Sequence, residues 1–121
     1  MSITLNSLVF PFAGFIQGGI ARYMNTDAGV AAGFRPLTAT VTGPNVNSDY
    51  KVRWKLVLPT VVQAGNGCCD VAERLSTVDI VVTVPRSAGA DERTAMGNSI
   101  KDLVASPEFL ASISSLITPS A

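Results

Sequence analysis

Apolar and polar residues alternate in residues 37–42 and 50–56, and a third run, residues 77–84, follows the same period except at Val81. Because successive side chains of a β-strand point to opposite faces of a sheet, this period of two predicts three strands. Gly43 begins a turn after the first segment, and Pro59 and Pro85 are expected to end the second and the third. Residues 63–76 are then predicted to form a loop.

The three predicted strands agree on one apolar face and one polar face, as expected for an antiparallel sheet with one side covered by a core. The apolar face carries Leu37, Ala39, Val41, Tyr50, Val52, Trp54, Leu56, Val78, Ile80, Val82 and Val84. The polar face carries Thr38, Thr40, Thr42, Lys51, Arg53, Lys55, Thr77, Asp79, Val81 and Thr83.

The ends of the chain complete an α+β fold. Residues 3–10 and 20–24 predict an N-terminal hairpin joined by loop 11–19, and residues 26–34 an irregular connection. After residue 85 the apolar period becomes helical, and Ser106 followed by Pro107 is typical of the start of a second helix. Apolar stripes recur at Met96, Ile100, Leu103 and Val104, and at Phe109, Leu110, Ile113, Leu116 and Ile117. The chain is thus predicted to be one domain: a hairpin and connection over about 1–34, sheet over 35–85 and two helices over 88–118.

Composition narrows the functional classes. The 121 residues include nine basic and nine acidic side chains, only 15% are charged, and histidine is absent. Without histidine the commonest general base, the usual catalytic triads and the usual catalytic zinc sets are missing, so we expect neither an enzyme nor a metal or other cofactor. The low charge content suggests a surface hidden against copies of the same chain. No segment is typical of a membrane span or a signal peptide, so we expect a mature protein that starts at or just after Met1 in the cytosol.

The alternating cations Lys51, Arg53 and Lys55 are the main candidate for binding chemistry. A solvated strand face is the ordinary explanation of such a trio. Here threonine hydroxyls flank the cations, and hydroxyls with cations suit contacts to phosphates and base edges. Symmetric pairing of two chains would double the patch to six cations.

An ordered series of segments resembles the coat proteins of single-stranded RNA bacteriophages (leviviruses), most closely those of the Q-beta-like branch. The resemblance spans roughly residues 35–119 and rests on residues 49–60, 66–70, 78–85, 90–93 and 103–107. It implies an N-terminal hairpin, an antiparallel sheet of about five strands and two C-terminal helices. Two chains would join sheets edge to edge, with each chain's helices across the partner's sheet, and dimers would close into an icosahedral virion shell in the bacterial cytoplasm. Dimer packing would then involve Trp54, Phe109, Ile113, Leu116 and Ile117.

The resemblance also implies that the polar face binds genomic RNA, and that a dimer can repress replicase translation through one RNA hairpin. Residues Thr38, Thr40, Arg53 and Lys55 fall where the family builds an adenine-recognising pocket, with Thr42 and Asp79 at neighbouring contact positions. Thr77 stands where the family usually places a base-stacking tyrosine, and Arg53 replaces a smaller neutral residue and is expected to obstruct an adenine. General RNA packaging is therefore better supported than recognition of one hairpin.

The adjacent Cys68 and Cys69 cannot form an ordinary intrachain disulfide framework. Two free thiols in a cytosolic loop are one interpretation. The resemblance implies another, disulfides between neighbouring dimers, with one thiol for each neighbour. The main hypothesis is a self-assembling capsid protein that binds RNA, without membrane or small-molecule partners. The alternative is a dimeric RNA-binding translational regulator that never forms shells.

Overall fold

The computed structural model describes residues 2–16, 19–29, 33–43, 49–63 and 70–116. Contacts divide the chain into two compact units, residues 1–84 with all the strands and residues 85–121 with both helices. The strands are β1 (Ser2–Leu5), β2 (Leu8–Ile16), β3 (Ile20–Asn25), β4 (Arg35–Thr42), β5 (Tyr50–Gln63) and β6 (Asp70–Val84); the helices are α1 (Ala90–Ala105) and α2 (Pro107–Ser115).

The six strands form one sheet in the order in which they occur along the chain. Each neighbouring pair is antiparallel. The predicted α+β class, with its N-terminal hairpin and two C-terminal helices, is confirmed. The sheet has six strands rather than about five, and it begins before residue 35, because β3 pairs directly with β4.

The register of β4, β5 and β6 confirms the two predicted faces. Leu37 pairs with Leu56, which pairs with Val78; one step along, Trp54 lies between Ala39 and Ile80. Directly opposed residues of an antiparallel pair project to the same side of the sheet, so the apolar positions of the three strands share one face.

The core of the first unit lies where β2, β3 and β4 meet. Phe10, Tyr23 and Leu37 are its buried members. Tyr23 stacks on Trp54 with ring centroids 6.5 Å apart, and Phe12 meets Tyr23 edge-on at 5.5 Å. The partly buried residues packed against the core are Ile3, Leu5, Leu8, Ala21, Trp54 and Leu56. The N-terminal strands therefore supply part of the hydrophobic core.

Asn25 is a fully buried polar residue that links three segments of the first unit. Its side-chain amide donates to the Val9 carbonyl oxygen at 2.8 Å and to Asp27 Oδ2 at 3.0 Å. Its Oδ1 accepts from Arg35 Nη1 at 2.7 Å. The side chain thus bonds to β2, to the start of β4 and to the connection after β3.

Replacing Asn25 with alanine is expected to lower the free energy of unfolding by about 2–3 kcal/mol, because it leaves the Val9 carbonyl and the Arg35 guanidinium without this partner. Urea unfolding followed by tryptophan fluorescence measures the loss. Thr26→Ala, at the exposed neighbouring position, is the control and should change stability by less than about 0.5 kcal/mol. Equal stabilities of the two variants would contradict the structural role of Asn25.

The N-terminal hairpins differ from the sequence prediction. Residues 3–10 are not one strand, because Asn6 and Ser7 (φ 48° and 65°) form a turn that reverses the chain. Two successive positive φ values are the geometry of a type I′ turn, in which the second central residue is usually glycine. Ser7 occupies the position where glycine is usual, so the turn is only weakly indicated by the sequence. Strand β2 then runs through most of the predicted loop, as far as Ile16.

The β5–β6 hairpin is longer than predicted. Pro59 does not end β5, which reaches Gln63, and β6 begins at Asp70 rather than near Thr77. The β4–β5 ladder stops at Leu56, and proline is tolerated where one side of a strand carries no ladder. Leu75, in this end of the hairpin, is largely exposed. Because its apolar residues are not all buried, the alternation of apolar and polar residues predicts strand bounds poorly there.

The second unit contains the predicted helices. The Ser106 hydroxyl accepts from the Phe109 N–H at 3.3 Å, and Pro107 is the first residue of α2, which confirms the predicted start. The end is earlier than predicted: Leu116 adopts a left-handed conformation (φ 56°) that terminates α2 after Ser115. Ile117 lies outside the described residues. Neither helix has a buried residue.

Candidate nucleic-acid interface

The predicted polar face is continuous across three strands. Lys55 lies between Thr38 of β4 and Asp79 of β6; Arg53 lies between Thr40 and Val81. Lys51 lies between Thr42 and Thr83. The register therefore brings together all seven residues predicted to contact RNA: Thr38, Thr40, Thr42, Lys51, Arg53, Lys55 and Asp79.

Arg53 and Asp79 form a bidentate ion pair on this face. Arg53 Nε donates to Asp79 Oδ1 at 3.0 Å, and Nη2 donates to Oδ2 at 2.6 Å. The hydrogen bonds from Arg53, and more weakly the charges of Arg53 and Lys55, hold the pKa of Asp79 below its usual range. Asp79 is therefore ionised at neutral and mildly acidic pH. Both side chains are partly exposed, so the pair is expected to orient Arg53 more than to stabilise the fold.

A depression of about 200 Å³ opens on the same face. It contains the four residues predicted to form a base-binding pocket, and two isoleucines from the N-terminal hairpin complete its wall. The lining residues are Ile16, Ile20, Thr38, Thr40, Arg53 and Lys55. Sequence analysis missed the isoleucines, because their approach depends on the pairing of β2 with β3 and of β3 with β4.

Arg22 is a further cation that sequence analysis missed. It pairs with Thr38, which extends one row of the face to Arg22, Thr38, Lys55 and Asp79. Its Nε is buried and makes no hydrogen bond to any other described residue. The spacing within the predicted strand 20–24 puts Arg22 on the same face as Ile20 and Met24. Which face of the sheet that is becomes known only from the register with β4.

Thr77, the position of the missing stacking tyrosine, lies on the same polar face. Thr77 pairs with Val57, beyond the row that holds Lys55 and Asp79. Cys68 and Cys69 lie outside the described residues. Within the described ranges, no three acidic or cysteine side chains are grouped as metal ligands. No described helix is long and apolar enough to cross a membrane.

One face of the sheet is cationic and rich in hydroxyls, and the opposite face is apolar. The two helices that follow expose apolar side chains, among them Leu110 and Ile113. The chain belongs to the levivirus coat protein family, whose sequence pattern matches residues 7–118. It is a structural capsid protein of the virion.

Solved structures share its fold. A virus-like particle of Beihai levi-like virus 21 is 21% identical (TM-score 0.89), covering 99% of this chain and 97% of that chain. The capsid protein of bacteriophage GA is 23% identical (TM-score 0.79), covering 95% and 93%. An unassembled bacteriophage coat protein dimer, described as RNA-binding, is 16% identical (TM-score 0.63), covering 100% and 96%. No curated protein sequence is similar enough to count as a relative.

Proposed function

We propose that the chain forms an interlocked dimer, that the dimers close into an icosahedral shell, and that the polar face binds and packages single-stranded genomic RNA. The observation that carries the proposal is the division of the sheet into an apolar face and a cationic, hydroxyl-rich face. The first suits a protein partner and the second suits a phosphate backbone. Repression of replicase translation through an RNA hairpin belongs to the same proposal.

The dimer is supported by apolar surface in each unit. In α2, Leu110 is 53% exposed and Ile113 is 59% exposed. On the apolar sheet face, Val41, Val78 and Ile80 are exposed as well. Large apolar patches on a single chain are typical of surfaces that become covered by a partner. We assign the partner as a second copy of this chain, whose α2 covers the sheet around Trp54.

We further propose a structural rather than a catalytic role, supported by the complete absence of histidine from the sequence. Membership of the Q-beta-like branch and assembly in the bacterial cytoplasm belong to the same proposal. They are supported by the resemblance of residues 49–60, 66–70, 78–85, 90–93 and 103–107.

Expression of the chain alone tests the proposal. We expect large particles in negative-stain microscopy, containing RNA that resists added ribonuclease. A soluble dimer of about 25 kDa (twice the 12.6 kDa chain mass) that binds RNA without forming particles would favour the alternative regulator and contradict the shell.

Cys68 and Cys69 are proposed to form disulfides between neighbouring dimers once particles leave the reducing cytosol. Non-reducing gels of purified particles should show ladders that reach pentamers and hexamers and collapse with reductant. Cys68→Ser should shorten the ladder to dimers, because each chain then has one thiol for one neighbour. A monomeric band under oxidising conditions would contradict the proposal.

A further inference from the structure

The ion pair with Asp79 uses only some of the N–H donors of the Arg53 guanidinium. A guanidinium carries five N–H donors in a rigid planar fork. The bonds to the two carboxylate oxygens use Nε and one hydrogen of Nη2, which lie along one edge. The other edge, formed by Nη1 and the second Nη2 hydrogen, takes no part in this ion pair. Asp79 thus fixes the plane of Arg53 and leaves a second bidentate edge for a ligand.

The depression beside this pair is rich in hydrogen-bond donors. Arg53 and Lys55 line it together with the hydroxyls of Thr38 and Thr40, while its remaining walls are isoleucines. Arginine and lysine donate and cannot accept, whereas a hydroxyl can do either. A ligand seated here therefore gains most if its edge offers two adjacent acceptors and its body is flat and apolar enough to lie against isoleucine.

Of the two purine bases, guanine presents this edge. Its O6 and N7 are adjacent acceptors that match a bidentate arginine, whereas adenine replaces O6 with an amino donor that would face the donors of Arg53. We propose that the depression selects a guanine base of single-stranded RNA over adenine, with Arg53 as the recognising residue and Asp79 as its positioning residue. This inference rests on the proposed RNA binding and departs from the adenine pocket that the family resemblance implies.

The test compares short oligouridine strands that carry one central guanosine or one central adenosine. Binding to the full-length dimer is measured by filter retention at one fixed salt concentration. The guanosine strand should bind about tenfold more tightly. Strands with 7-deazaguanosine, which lacks the N7 acceptor, or with 2-aminopurine, which lacks O6, should lose most of that preference.

Three variants separate base recognition from charge. Arg53→Lys keeps the cation but removes the planar fork, so the guanosine-to-adenosine ratio should fall close to one. Asp79→Asn should also lower the ratio, because Arg53 is no longer held by a carboxylate, yet it should strengthen binding of plain oligouridine by removing a negative charge. Lys51→Ala is the matched control outside the depression and should weaken binding of both strands without changing their ratio.

Equal binding of the guanosine and adenosine strands would mean that Arg53 contacts phosphate only, which overturns this inference and leaves RNA binding intact. A preference for adenosine, or an unchanged ratio in Arg53→Lys, would overturn it as well. If no strand bound when the assay was repeated at low salt, the proposed RNA binding itself would fail, and the base preference with it.

Discussion

Deletion of residues 106–121 is expected to leave aggregated protein and to abolish particles. The deletion removes α2, in which Leu110 and Ile113 are exposed on the single chain. In the proposed dimer it would also leave the apolar sheet face of the partner uncovered. In the proposed dimer this loss occurs twice, once for each chain. Size-exclusion chromatography and negative-stain microscopy of the truncated chain measure the outcome. A truncated chain that stayed soluble and monomeric would contradict the interlocked dimer.

A single substitution tests the same contact without removing a helix. Ile113→Asp should reduce dimerisation strongly, because full burial of an isoleucine contributes about 1.5–3 kcal/mol and the dimer contains two copies. At about 1.4 kcal/mol for each tenfold change, the dimer dissociation constant should rise by roughly a hundredfold or more. Ser114→Asp, which places the same charge at the next exposed position of α2, is the control and should assemble normally. Equal assembly of the two variants would exclude Ile113 from the dimer interface.

RNA binding is expected to weaken steeply with salt. Lys51, Arg53 and Lys55 give a dimer six cations on the polar face, and each phosphate neutralised on a single strand contributes about −0.7 to the logarithmic salt slope. The slope should therefore approach roughly −4. That slope corresponds to a loss of affinity of roughly two hundredfold between about 50 and 200 mM salt. Filter binding of a non-specific single strand across this range measures it.

Removal of one cation from the polar face tests where the slope originates. Lys55→Ala should lower it by somewhat more than one unit, because both halves of the dimer lose a contact. Lys101→Ala removes an exposed cation from α1 and should leave the slope unchanged. Affinity that did not depend on salt would remove this face from RNA binding, and an equal effect of the two substitutions would show that only total charge matters.

The local pattern of apolar and polar residues was sufficient to predict most of the fold. The alternation in residues 37–42, 50–56 and 77–84 predicted three strands and their two faces, because a period of two has only one arrangement on a sheet. The cap at Ser106 predicted the start of α2 for an equally local reason. The pattern failed at Asn6 and Ser7, where the turn lacks its usual glycine, and at Pro59, where a proline is tolerated because β4 has already ended.

The residues of the polar face also differ in whether local pattern predicts their position or strand pairing is needed to place them. The shared face of Lys51, Arg53 and Lys55 follows from their spacing alone, since residues two apart on one strand always lie on the same face. Three further features appear only once the strands are paired. Arg53 is held by Asp79, and Arg22 joins the row of Lys55. Ile16 and Ile20 close a depression around Thr38 and Thr40. The depression brings together residues up to 39 positions apart, from 16 to 55. All these arrangements depend on the register between strands, which the period of a single strand does not encode.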